Sequence, residues 1–63
     1  MLPAWMGEVI GTLHIHRIRT MDFAKELGVN EKYLYGVLSG KRLCPKDMES
    51  RCRETLARMI QED

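Results

Sequence analysis

Apolar side chains recur along this chain every three or four positions, the period of one face of an α-helix. The first run is Trp5, Met6, Val9, Ile10 and Leu13, behind a Pro3 whose missing N–H suits the first helical position. It predicts a helix over about 3–17. Gly7 and Gly11 lie four apart inside it, each read as a tolerated cost of about 1 kcal/mol relative to alanine. Phe23, Ala24 and Leu27 mark a second helix over 21–27. Its cap is Arg19 or Thr20. Thr20 has the better chemistry, since a hydroxyl accepts from an orphan N–H, and Asp22 adds favourable charge in the first turn. Gly28 ends this helix, because glycine adopts positive φ without strain.

One residue later, Asn30 is a strong cap that restarts a helix from Glu31 to about Ser39, with Leu34, Val37 and Leu38 facing inward and Gly40 closing it. The same stretch, Lys32-Tyr-Leu-Tyr-Gly-Val-Leu-Ser-Gly-Lys41, also alternates like a strand. No second alternating run exists to pair with it, so a strand here leaves its backbone groups without partners. Helix is therefore the expected state. Pro45 opens a fourth helix to about Gln61, with Met48, Cys52, Leu56, Met59 and Ile60 as its apolar stripe. Arg51, Arg53 and Arg58 fall among Glu49, Glu54 and Glu62 on its wet side. The pattern predicts an all-α, compact four-helix domain over residues 1–63.

Length and charge narrow this further. A chain of 63 residues beginning at Met1 is expected to be one whole small domain. Such a domain buries only about 60% of the surface its unfolded chain exposes. The N-terminus has neither a basic leader nor a long apolar run, and no window approaches a membrane span of roughly 18 residues. A cytoplasmic setting is expected, without membrane association and with Cys44 and Cys52 reduced. His14 and His16 point to nearly opposite sides of a helix, and no Cys or His pair has zinc spacing, so no metal is expected. Cys52 on the inner stripe reads as a small apolar residue. No nucleophile stands beside a base, and neither catalysis, a cofactor nor a small-molecule ligand is expected. Net charge is only +1, but it is unevenly spread. His14-Ile-His-Arg-Ile-Arg19 carries no acid, Lys41-Arg42 forms a second basic spot, and acids gather in Asp22, Glu26 and Glu31 and in the last helix and tail (Asp47, Glu49, Glu54, Glu62, Asp63).

Two helices joined by a three-residue turn, the second opened by an asparagine cap, make a helix-turn-helix unit. That unit needs a small residue where its helices cross, a positive-φ residue in the turn and apolar inner faces. Ala24, Gly28, and Phe23, Leu27, Val29, Leu34 and Val37 supply them. The segment Thr20–Arg42, "TMDFAKELGVNEKYLYGVLSGKR", resembles the Cro/repressor-type helix-turn-helix family of phage and bacterial regulators. The matching marks are Phe23-Ala24, Leu27-Gly28-Val29, Leu34 and the exit Val37-Leu-Ser-Gly-Lys-Arg42, close to the family's "VLNGKR". Many members open the second helix with a glutamine that contacts phosphate; here Thr20 stands in its place, with a shorter reach.

The resemblance implies that the third helix lies in the DNA major groove. Base-contacting positions are then Asn30, Glu31, Lys32, Tyr35, Gly36 and Ser39. Lys32 can donate to guanine, and Asn30 can pair with adenine if capping leaves it free. Glu31 either accepts from cytosine or only favours the helix dipole. Gly36 either lets the helix sit close to DNA or touches nothing. Tyr33 is expected to be a partly buried packing residue. Arg19, Thr20, Lys41 and Arg42 are phosphate contacts, which set register and salt dependence. Family members commonly form homodimers on half-sites about 34 Å apart. Leu56, Met59 and Ile60, joined by Trp5, are then a dimer surface, or else they close the monomer core. The expected function is a DNA-binding transcriptional regulator, a repressor acting sterically on a double-stranded operator. The rival is a module that uses the same helices to bind a host protein.

Overall fold

Each of the four periodic runs becomes a helix. The computed structural model describes residues 2–61, so Glu62 and Asp63, assigned above to the wet side and the tail, lie outside it, as does Met1. The helices are α1 (Ala4–Ile15), α2 (Thr20–Leu27), α3 (Glu31–Leu38) and α4 (Met48–Gln61), with no strand among the described residues.

Three of these helices stop in the same way. After α2, Gly28 at φ 86 lets its own N–H and that of Val29 turn back to Lys25 and Ala24 carbonyls. After α3, Gly40 at φ 83 does the same, and Lys41 N–H donates to the Gly36 carbonyl at 2.8 Å. After α1 the left-handed residue is Arg17, at φ 56, with Arg17 N–H on His14 and Ile18 N–H on Leu13. Each is a Schellman ending, which satisfies the last carbonyls of a helix.

Several boundaries differ from the expected ones. Pro3 caps α1 in extended backbone (ψ 145) rather than opening it as a helical residue. Arg19, not Thr20, is the N-cap of α2, and its side chain makes no capping hydrogen bond. Thr20 is already helical, so its hydroxyl is past the capping position. Helix α4 begins at Met48 rather than Pro45, whose carbonyl accepts from Met48 N–H at 3.1 Å in a turn that leads into the helix.

Helix α4 packs on α1 and α2, while α3 packs on α2 and α1. The core between them holds Met6, Val9 and Leu13 of α1, Phe23, Ala24 and Leu27 of α2, Leu34, Val37 and Leu38 of α3, and Met48, Cys52 and Leu56 of α4. Two polar ties bind α4 to its neighbours. Arg51 Nη2 donates to the Leu27 carbonyl at 3.1 Å, so this arginine is half-buried rather than on the wet face. Arg53 bridges Glu8 of α1 at 3.1 Å and Glu49 at 3.0 Å. That network is exposed, and such pairs contribute little.

Candidate nucleic-acid interface

Helix α3 buries Leu34, Val37 and Leu38, so the opposite side must face solvent. Helical spacing places Lys32, Gly36 and Ser39 in line on that side, with Tyr35 beside them. Lys32, Tyr35 and Ser39 are exposed; Glu31 and Gly36 are half-buried. The chain leaving α3 folds back over this side, because Lys41 and Arg42 N–H both donate to the Gly36 carbonyl, at 2.8 and 3.0 Å. The result is a shallow depression lined by Lys32, Tyr35, Gly36, Ser39, Lys41 and Arg42. It carries three cations and no carboxylate. A comparable depression between α2 and α4 mixes Glu26 and Glu54 with Arg51 and Arg58. The Lys41-Arg42 spot expected from the sequence thus joins Lys32 beside the outer side of α3.

Individual residues take more definite roles here. Asn30 Oδ1 accepts from Lys32 N–H at 2.8 Å, so the side chain is engaged as a cap. Two-point pairing with adenine also uses that oxygen, so Asn30 would have to share it between the cap and the base. Ser39 Oγ donates to the Gly36 carbonyl at 3.3 Å. Gly36 is neither bare nor idle: a Cβ there would lie 2.7 Å from Arg42 Cδ and 2.9 Å from Arg42 Cγ. Tyr33 is half-buried against the core, and the Arg42 guanidinium carbon stands 5.9 Å from its ring centroid. Arg19 is exposed beside the start of α2, whereas Thr20 is half-buried, which shortens its reach further.

A second surface feature was missed in the pattern. Ile10, counted with the inner stripe of α1, is 49% exposed, and Ile15 is 77% exposed. With Ile18, Tyr35 and Leu38 they line an apolar depression of about 620 Å³, which reaches Thr20 and Ser39 at its edge. The available signal was Ile15 itself, which lies two residues beyond Leu13 and so off the stripe. Compared with models of known protein families, with curated proteins and with solved structures, the chain matches none.

Part of the expected dimer surface is taken up by the core. Leu56 is only 6% exposed and belongs to the core, and Trp5, Met59 and Ile60 pack half-buried against it. Leu56 therefore serves the monomer core, while Trp5, Met59 and Ile60 keep part of their surface open.

No group of three His, Cys, Asp or Glu side chains comes together in a metal-holding arrangement among the described residues. Cys44 is exposed and Cys52 fully buried, and both thiols are free. Burial, then the Cys44 thiol, push the Cys52 thiol up to about 11, against a lowering by Arg51. Cys44 is also raised, by desolvation and by the nearby Asp47 and Glu49 carboxylates. Neither is an activated nucleophile.

Proposed function

We propose that this protein binds double-stranded DNA as a sequence-specific transcriptional regulator, with α2, the Gly28–Asn30 turn and α3 acting as a helix-turn-helix. The observation that carries this reading is the α3 face. Three cations surround its outer strip with no acid among them, on a molecule of net charge only +1. A cluster of cations from α3 and the chain that leaves it, with no carboxylate lining the depression between them, is the kind of local basic patch that binds nucleic acid. Lys32, Tyr35 and Ser39 then face base edges, while Lys41 and Arg19 hold phosphates and set register. Glu31, half-buried in the first turn, serves the helix dipole. Asn30 stabilises the start of α3 and contributes indirectly. The protein acts as a homodimer on a short operator and represses by occupying promoter DNA.

Titration against duplex DNA at several salt concentrations tests the reading. Affinity should fall steeply with salt and differ between a selected site and random sequence. Lys32→Ala and Tyr35→Ala should reduce that difference with the fold intact, whereas Lys41→Ala should weaken all sequences about equally. Binding without salt dependence or sequence preference would end the proposal.

The apolar depression around Ile10 and Ile15 favours a second reading, a module that binds another protein, because exposed apolar surface on a small domain marks contact sites. An Ile10→Ser/Ile15→Ser variant that binds DNA normally yet loses a cellular function would favour it.

A further inference from the structure

Sequence spacing pairs Arg42 with Lys41 as two phosphate-contacting cations outside the helix, but the structure treats them differently. The N–H groups of both residues converge on the Gly36 carbonyl, which turns the chain after Gly40 back along α3. From there the carbon stem of Arg42 crosses the outer side of the helix at Gly36. A Cβ at position 36 would stand 2.7 Å from Arg42 Cδ, 2.9 Å from Cγ and 3.0 Å from Nε. A side chain at 36 would therefore compete with the arginine for the same space. The guanidinium continues toward Tyr33, one turn closer to the N-terminal end of α3, with its carbon 5.9 Å from the ring centroid. The stem thus lies along the helix at Gly36 and its charged end stands near the Tyr33 ring.

We infer that Arg42 is a base-reading residue and that Gly36 and Tyr33 position it. This rests on the reading of α3 as the helix that enters the major groove. In that setting Arg42 lines the same depression on the outer side of α3 as Lys32 does. Its planar fork suits the O6 and N7 acceptors of guanine, a pairing that lysine cannot copy with two parallel bonds. Holding the stem before binding lowers the ordering cost of making that contact. Gly36 serves the interface by its absence of a side chain, which leaves a track for Arg42.

The experiment uses binding sites selected from a random duplex pool with the full-length protein, followed by affinities for every single base-pair change in the best site. Arg42→Ala should lose discrimination at one or two G·C pairs by about tenfold or more, with the remaining positions read as before. Arg42→Lys should lose most of the same discrimination. Gly36→Ala, with its helical fold checked by circular dichroism, should show a smaller loss at the same pairs. Combined with Arg42→Ala, it should add nothing further there. The inference is overturned if Arg42→Ala weakens all sequences by one factor and reduces the salt slope by about 1, the signature of a phosphate contact. It also falls if Gly36→Ala leaves discrimination at those pairs untouched. A wild-type protein that selects no site removes the DNA-binding reading and this inference together, an outcome distinct from the other two.

Discussion

Arg17 holds a left-handed conformation, φ 56, that glycine takes at the equivalent ends of α2 and α3. Its side chain is exposed, so nothing in the core requires arginine there. A non-glycine residue in this region costs on the order of 1 kcal/mol, partly offset by the extra freedom glycine gives the unfolded chain. Arg17→Gly should therefore stabilise the domain by about 0.5 kcal/mol, a small upward shift of Tm in a melt. A lower Tm would show that Arg17 makes a contact worth more than the strain. Cys52 gives a pH dependence. Its folded-state thiol titrates near 11 rather than at the ordinary 9.0, so above about 9 the unfolded chain releases a proton that the folded chain retains. Stability from this group is full below that range and is lost as pH rises from about 9 toward 11, by about 3 kcal/mol at most. Cys52→Ala should remove that alkaline slope from denaturant titrations, and Cys44→Ala should leave most of it. If the slope survives in Cys52→Ala, another group is responsible.

Helix α1 is the element whose local and tertiary demands agree least. Gly7 and Gly11 weaken it, and a Cβ at either would meet nothing within 4 Å. Gly7→Ala and Gly11→Ala should each stabilise the fold by about 0.5–1 kcal/mol, measured by chemical denaturation. A destabilised Gly11 variant would indicate that this helix bends in a way that needs glycine. Helix α3 is the contrary case. Its cap (Asn30), its inner face (Leu34, Val37, Leu38) and its left-handed exit (Gly40) all support one conformation. Here the return of the chain lays Arg42 across Gly36, so a side chain at 36 would meet the arginine stem.

For the molecule as a whole, Met48, Cys52 and Leu56 of α4 are buried in the monomer core. Leu56→Ala should therefore unfold the domain more readily, with a cost of about 2–5 kcal/mol for a buried leucine. Sedimentation at fixed concentration should show the remaining folded fraction associating as the parent does. A stable but dissociated Leu56→Ala protein would return this residue to a dimer interface. The all-helical architecture, the inward residues of α2 and α3 and the glycine stops were legible in the chain, because period, cap chemistry and positive φ are local matters. The functional reading came from a resemblance to a family of DNA-binding regulators, carried by Thr20–Arg42, and it is a proposal that the binding titrations test. Other features depended on partners distant in sequence. Ile10 has stripe spacing but is left outside because α3 and α4 cover only part of α1. Arg51 looked solvated until the end of α2 was set beside it, where its guanidinium finds the Leu27 carbonyl. Arg42 looked like a loop cation until the Gly40 turn carried it back over Gly36. Local backbone preference chose the helices; the direction in which chain ends and long side chains fold back was decided only by packing, which no spacing rule encodes.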